Sequence, residues 1–321
     1  MNKDNDQLFL SIVVPCFHSG QRLEGLVERI EVTMKTTGRT FEVLLVNDAS
    51  MDDTWSVIEH LVKQHRCVRG LDLLYNTGQF RATICGIEHS RGQYIATMDD
   101  DLQQMPEDLP KLIEAVECAA DIDCVIGVFR QTQQNVVRRI GSQIVGYLNQ
   151  YLYGKPQQLK LTSFRLMRRQ IAEAICAHQT ARPIIGPLLL QCTSRIANVQ
   201  VQHQPRKQGH SGYTLRRLVG TVVDNVIAGS TLPLKAITLL GLVSATGSML
   251  LGSFYLVKYL VGGIRVPGFA TQVLLIIFFG GMMLLSIGIL GEYVIRILNE
   301  TSRAPRYRVR HQVDNCNEDS L

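Results

Sequence analysis

Within its first third the chain reads Tyr94-Ile95-Ala96-Thr97-Met98-Asp99-Asp100-Asp101-Leu102-Gln103, a short apolar run that breaks into three consecutive acids. The pattern predicts a strand ending in an acidic turn. Asp99 and Asp101 are two residues apart and share a face if strand geometry persists. Three acids this close repel one another unless something positive sits among them. A divalent cation held by hard oxygen ligands and completed by substrate phosphates meets that need. An acidic helix N-cap screened by solvent is the plainer alternative. The surrounding chain decides between them.

Upstream, strand and helix signals alternate. Leu8 to Val14 predicts a strand ending at Pro15, and Arg22 to Lys35 carries apolar residues at helical spacing: Leu23, Leu26, Val27, Ile30 and Met34. Phe41 to Val46 predicts the next strand, followed by Asn47-Asp48-Ala49-Ser50, a helix over Asp52 to Gln64 and a short strand near Leu71. Arg81 to Glu88 reads as a helix before the Tyr94 strand. This alternation predicts an α/β domain with a mostly parallel sheet. Ligands in such sheets bind beyond the carboxyl ends of the strands. Pro15-Cys16-Phe17, Asn47-Asp48 and Asp99 to Asp101 all fall at such ends and can converge on one crevice.

No GxGxxG follows the first strand, and no GxxxxGK[ST] occurs. That argues against a dinucleotide dehydrogenase and a P-loop NTPase. Carboxylates can still hold a nucleotide: Asp48 at a base edge, Asp99 on a ribose, Asp101 on a diphosphate-bound metal. For Asp48, an Asx-turn or helix cap is a compatible structural role.

Farther on, Cys124 to Phe129 predicts a buried strand followed by Arg130. Asn135 to Tyr153 predicts a helix suited to a bilayer surface, with core packing an equal alternative. Ile171 to Ala177 predicts another helix. Residues 199 to 217 are basic and polar, with Arg206, Lys207, His210, Arg216 and Arg217 around Gly209 and Gly212. Such loops suit phosphate binding. The broad basic surface of a nucleic-acid reader is not evident.

The formal net charge over 321 residues is only +5, and the eight cysteines contain no CxxC pair, which argues against a zinc site and suits a reducing compartment. Met1 to Gln7 lacks the features of a signal peptide. Ala236 to Val257 is uncharged over 22 residues, about 33 Å as a helix. Val266 to Gly291 is uncharged over 26. We expect two transmembrane helices, about 236–257 and 268–291, because two core helices would not be so long and so uniformly apolar. Arg206, Lys207, Arg216, Arg217 and Lys235 precede the hairpin, and Arg296, Arg303, Arg306, Arg308 and Arg310 follow it. That excess predicts cytoplasmic ends, although Lys258 and Arg265 lie in the short connection. The expected divisions are 1–230 as the catalytic domain, 231–300 as the hairpin and 301–321 as a basic cytoplasmic tail.

From residue 8 to about 308 the chain resembles the inverting family 2 glycosyltransferases that load a sugar onto a polyprenyl phosphate. It is nearest in organisation to the bacterial undecaprenyl-phosphate sugar transferases of the aminoarabinose-lipid and O-antigen glucosylation types. Dolichyl-phosphate mannose synthases are more distant. The motifs are Val14-Pro15 with Cys16-Phe17, Asn47-Asp48-Ala49-Ser50 with Asp52 and Thr54, Asn76 with Gly78-Gln79, and Asp99-Asp100-Asp101-Leu102-Gln103 with Pro106-Glu107. Later come Phe164-Arg165-Leu166-Met167, Arg206 with Gly209 and Ser211, and Arg303-Ala304-Pro305-Arg306-Tyr307.

The resemblance implies a GT-A fold, a nucleotide-sugar donor that is UDP-linked, a lipid-phosphate acceptor, Mg²⁺ or Mn²⁺, and a bacterial inner-membrane enzyme that forms tetramers. It implies Asp101 as metal ligand, with Pro15, Asp48, Asp99 and Gln103 on the nucleotide. Arg206 is the implied catalytic and acceptor-phosphate arginine, assisted by Arg130, Lys207 and Ser211. Four departures stand out: Phe17-His18-Ser19 where Tyr-Asn-Glu is common, Asn47 for the first Asp of an Asp-Asp pair, Ser163 for the acid before Phe164, and Gly212 for a frequent Lys. A phosphate acceptor is already largely ionised near neutral pH, so Ser163→Ala is expected to retain substantial turnover. Two alternatives remain, a processive polysaccharide synthase and a catalytically silent scaffold that binds a nucleotide sugar. The first usually needs Gln-x-x-Arg-Trp, and the one tryptophan, Trp55, lies far from any such place.

Overall fold

The computed structural model describes residues 8–129, 150, 156, 158–178, 180, 183–202, 269–301 and 305–315, together with parts of 237–261. The chain divides into two compact units, residues 1–212 with 304–321, and residues 213–303.

The first unit is built on β1 (Leu10–Cys16), α1 (Gly20–Thr37), β2 (Phe41–Asn47), α2 (Thr54–Gln64), β3 (Val68–Leu73), α3 (Gln79–Glu88) and β4 (Tyr94–Thr97). A 3₁₀ turn, Pro106–Asp108, leads into α4 (Leu109–Glu117) and β5 (Cys124–Phe129). β6 (Arg165–Arg168), α5 (Arg169–Ala177), α6 (Ile185–Cys192), β7 (Ile196–Val201) and β8 (Val309–Asp314) complete it. The eight strands form one sheet in the order β7-β5-β6-β4-β1-β2-β3-β8. Pairs β1–β2, β1–β4, β2–β3 and β5–β7 are parallel. β6 runs antiparallel to β4 and β5, and β8 runs antiparallel to β3.

Strands β1, β2, β4 and β5 are largely buried because helices cover both faces, so they read as nearly continuous apolar runs. Leu10, Ile12, Val14 and Cys16 of β1 join one core with Leu23, Leu26 and Ile30 of α1, Ile58 and Leu61 of α2, and Leu112 and Val116 of α4. Val13 points the other way, into a core with Ile84 of α3, Ile171 and Ile175 of α5 and Leu188 of α6. α3 lies close to the sheet: a Cβ on Gly86 would collide with the Val13 side chain.

The chain after 301, expected to be a basic tail, differs from that expectation: Val309–Asp314 is the edge strand β8. Its charges are used within the fold. Arg306 Nη1 donates to the Cys176 carbonyl at 2.8 Å and its Nη2 to that of His178, satisfying carbonyls at the end of α5. The Tyr307 hydroxyl donates to Glu88.

The second unit contains α7 (Phe269–Thr301), 33 residues long. Its stretch Phe278–Ile295 has a mean hydropathy of 1.7, and this is the one described helix long and apolar enough to cross a membrane. In the first apolar run, residues 237–244 are helical. Most of the helix expected over Asn135 to Tyr153 lies outside the described residues.

Candidate active site

Strands β2 and β3 extend the sheet to one side of β1, and β4 lies on the other. The order in which strands are added reverses between the parallel neighbours β1 and β4, and a crevice opens at such a point beyond the strand ends. The loops after β1 and β4 meet there. The Ser19 hydroxyl donates to Asp100 Oδ2, and Arg22 Nη2 lies 3.4 Å from the same oxygen. Ser19 N and Gly20 N donate to Thr54 Oγ1 at 2.9 and 3.1 Å, and the Thr54 hydroxyl donates to Asp52 Oδ1 at 2.6 Å. The Asp52 and Thr54 motif thus holds the start of α1 in place.

Backbone strain gathers at the same strand ends. Among the described residues, the non-glycine residues with positive φ are His18 at 52°, Ala49 at 53° and Leu102 at 59°, one after each of β1, β2 and β4. Left-handed conformations in such residues cost energy and persist where surrounding contacts over-determine them.

Asp99 is held by three side chains. Its Oδ1 accepts from Gln79 Nε2 at 2.6 Å, and its Oδ2 from Ser163 Oγ at 2.5 Å and Gln104 Nε2 at 2.9 Å. Gln104, itself buried, accepts back from Asp99 N at 2.9 Å. Burial pushes the Asp99 carboxyl up to about 6; the Ser163 hydrogen bond and the Arg165 charge pull down, while Asp101 and Asp100 push up. The Asp100 carboxyl is also raised, first by burial, against the opposing Ser19 bond and Arg22 charge. Arg165 is buried, and its Nε and Nη1 find no acceptor among the described residues.

Asp101 Oδ2 accepts from Gln103 Nε2 at 2.6 Å, and its Oδ1 from Gln103 N at 3.1 Å. Among the described residues no three His, Cys, Asp or Glu side chains are grouped to hold a metal. The turn does carry three carboxylates, and their mutual repulsion contributes to the raised Asp99 and Asp100 values. A hard divalent cation fits such a donor set when it takes one carboxylate and completes its shell with phosphate oxygens.

On the other flank, Asp48 is buried and accepts three hydrogen bonds. Its Oδ1 accepts from Thr77 N at 2.7 Å and Thr77 Oγ1 at 2.9 Å, and its Oδ2 from Gly78 N at 2.8 Å. Gly78 has φ 86° and ψ 153°, a conformation that glycine alone adopts without strain.

The sequence profile described as glycosyl transferase family 2 matches residues 11–176. The chain belongs to this family. Two curated relatives carry the name undecaprenyl-phosphate 4-deoxy-4-formamido-L-arabinose transferase. The one from Pseudomonas paraeruginosa is 31% identical over 95% of this chain and 90% of its own, and the one from Klebsiella pneumoniae 30% over 95% and 93%. Among solved structures, glucosyl-3-phosphoglycerate synthase from Mycobacterium tuberculosis, crystallised with Mn²⁺ and uridine diphosphate, is similar at a TM-score of 0.51. The match covers 68% of this chain and 77% of that one at 15% identity. Another complex of that enzyme, with Mn²⁺, uridine diphosphate and phosphoglyceric acid, gives 0.52 at 16% identity, covering 68% and 76%. The protein is therefore a glycosyltransferase with the GT-A fold and its mixed, mostly parallel sheet.

In this glycosyltransferase the described site residues converge unevenly. Asp99 and Asp101 flank one turn, with Gln103 against Asp101. Pro15 is buried inside β1, opposite Val46, beneath the crevice. Asp48 spends its carboxylate on the loop after β3. Arg130, Arg206, Lys207 and Ser211 lie outside the described residues. Glu107, part of the acidic motif, pairs with Arg29 through two bonds of 2.8 and 2.7 Å, which ties the acidic loop to α1. Sequence reasoning assigned no role to Gln79, Gln104, Ser19 or Arg22. Gln79 was visible only as part of the Gly78-Gln79 motif, and Gln104 gave no signal.

Proposed function

We propose that this glycosyltransferase moves a sugar from a UDP-linked donor onto undecaprenyl or another polyprenyl phosphate, with inversion at the anomeric carbon. The observation that carries the reading is the match, over 95% of the chain, to relatives named for undecaprenyl-phosphate transfer. The acidic turn at the switch point and the long apolar helix suit the two substrates, one soluble and one lipid.

In this reading Asp99 receives the ribose side of the donor, and its three side-chain donors keep one carboxylate orientation. Asp101 would hold a Mg²⁺ or Mn²⁺ together with the diphosphate. When bound, that cation offsets the negative charge of the diphosphate as it departs. Asp48 acts at one remove, fixing the Thr77–Gly78 loop beside the nucleotide. A lipid-phosphate oxygen forms the new bond to the anomeric carbon as the bond to the donor phosphate breaks, and the nucleoside diphosphate leaves. Arg206, with Lys207, Arg130 and Ser211, holds the acceptor phosphate. Positioning and charge stabilisation carry the step, since the acceptor is already ionised.

The same reading gives a multi-pass protein of the bacterial inner membrane, with spans near 236–257 and 268–291, the catalytic domain and both ends cytoplasmic, and a homotetrameric assembly. The test is release of nucleoside diphosphate from a panel of nucleotide sugars by the full chain in detergent with Mn²⁺. Release stimulated by polyprenyl phosphate and not by 3-phosphoglycerate supports the reading. Release stimulated only by 3-phosphoglycerate contradicts it.

A further inference from the structure

We propose that Asp72 is a positioning residue for the donor site. Paired with Asn47 and facing Arg310 of β8, it sets the turn that carries Asp48. The inference rests on the reading of that crevice as the nucleotide site.

Asn47 ends β2, Asp72 is the penultimate residue of β3, and the two are direct partners in the parallel ladder. Both are buried, at 1% and 4% exposure. Asn47 Nδ2 donates to Asp72 Oδ1 at 2.8 Å. A carboxylate only accepts, so the Asn47 amide has one usable orientation, with NH₂ toward Asp72 and Oδ1 toward the turn. Oδ1 accepts from Ser50 N at 3.3 Å, and Ser50 Oγ accepts from His18 N at 3.1 Å. Two loops at the crevice are thereby indexed to one buried acid. Between them lies Ala49, in the left-handed region.

The other oxygen of Asp72 faces β8. Arg310 Nη1 lies 3.7 Å from Asp72 Oδ2, and its Nη2 donates to the Leu74 carbonyl at 2.9 Å. The chain that follows the long apolar helix therefore supplies a counter-charge for Asp72. This suits an amide at 47: a second carboxylate there would face Asp72 at hydrogen-bond distance, and the pair would either repel or have to take up a proton.

The test is an exchange experiment on the full chain in detergent with Mn²⁺. It reads uridine diphosphate binding by calorimetry, steady-state kinetics for both substrates, and thermal midpoint. Asn47→Asp is expected to weaken uridine diphosphate binding and raise donor KM by about 10-fold or more, with kcat and acceptor KM within about 3-fold of wild type. The double variant Asn47→Asp, Asp72→Asn rebuilds the pair with reversed polarity. It is expected to return donor KM to within about 3-fold of wild type. If Asn47→Asp alone does not fold, recovery of both folding and donor affinity in the double variant supports the proposal. Failure of the double variant to recover overturns it. Unchanged donor binding in Asn47→Asp, or an equal rise in both KM values, also overturns it. A wild-type protein that binds no uridine diphosphate removes the nucleotide reading, and the proposal with it. Wild-type binding with an unaffected Asn47→Asp removes the proposal alone.

Discussion

Ser163 Oγ donates to Asp99 Oδ2 at 2.5 Å and accepts from Gln104 Nε2 at 2.6 Å. The position where the family resemblance expects an acid thus belongs to the hydrogen-bond cage of Asp99. Removing the hydroxyl leaves Gln79 and Gln104 in place and loses one bond to a carboxylate, worth about 1 kcal/mol net. Ser163→Ala is expected to keep turnover within about 3-fold of wild type and to raise donor KM by about 3- to 10-fold. Steady-state kinetics with each substrate varied checks this. A collapse of turnover at saturating donor would mean that Ser163 has a chemical role.

The raised Asp99 carboxyl has a signed consequence for stability. Its folded value of about 6 lies above the ordinary carboxylate value of 3.8. The folded state therefore holds this proton more tightly than the unfolded chain does. Its stabilising contribution is complete below the unfolded value and is lost as pH rises through about 6. Asp99→Asn does not titrate. Its thermal midpoint relative to wild type should climb between pH 4 and pH 7 and then level off, a swing of at most about 3 kcal/mol. A difference that is flat across this range contradicts the argument.

Ala49 sits at φ 53°. Replacing alanine by glycine normally destabilises, through the entropy of the unfolded chain. Here relief of the left-handed strain, about 1 kcal/mol, offsets that loss. Ala49→Gly is expected to match or exceed wild-type stability by up to about 1 kcal/mol. Gly78→Ala, at φ 86°, should destabilise by more than that. Thermal melts of the two variants in one detergent give the comparison.

β8 brings Asp314 against a buried cation. Arg69 Nη1 donates to Glu42 Oε2 at 2.9 Å, and its Nε lies 3.1 Å from Asp314 Oδ2. The Nε–H is not aimed at that oxygen, so this contact is an ion pair and not a hydrogen bond. Arg91 Nη2 reaches the same oxygen at 3.0 Å. Asp314→Ala leaves Arg69 with Glu42 and the His89 carbonyl. The expected loss is about 1–3 kcal/mol, less than for an isolated buried pair because these partners remain. Denaturation followed by tryptophan fluorescence suits the measurement, because Trp55 packs against the same core. An unchanged midpoint would mean that β8 adds little to the sheet.

The central strands were legible because their burial on both faces leaves continuous apolar runs: Tyr94–Thr97 and Cys124–Phe129 fall where the sequence predicts them. β8 was not. Val-Arg-His-Gln-Val-Asp has two apolar residues in six, and its strand character comes from the edge of β3, more than 200 positions away. Arg306 and Arg310 read as part of a basic cytoplasmic tail, yet one satisfies carbonyls at the end of a helix and the other faces Asp72. Charge counts register the sign of a residue and carry no record of its partner. Asp48 shows the same limit at the site. Its place at a strand end was readable, but its engagement by Thr77 and Gly78 depends on a loop 29 and 30 residues on. Asp99 was readable as a site acid, while Gln104 and Ser163 meet it only after β4 and β6 pair.

The central claim is transfer of a sugar to a lipid phosphate at the Asp99–Asp101 turn. The most direct measurement incubates the full chain with Mg²⁺ or Mn²⁺, a broad panel of nucleotide sugars and polyprenyl phosphate. Mass spectrometry and anomeric NMR then identify the lipid product. The account predicts a polyprenyl-phosphate sugar of inverted configuration, formed by wild type and lost in Asp101→Asn and on chelation. A folded wild-type protein that yields no sugar-lipid with any donor, or a product of retained configuration, would contradict it.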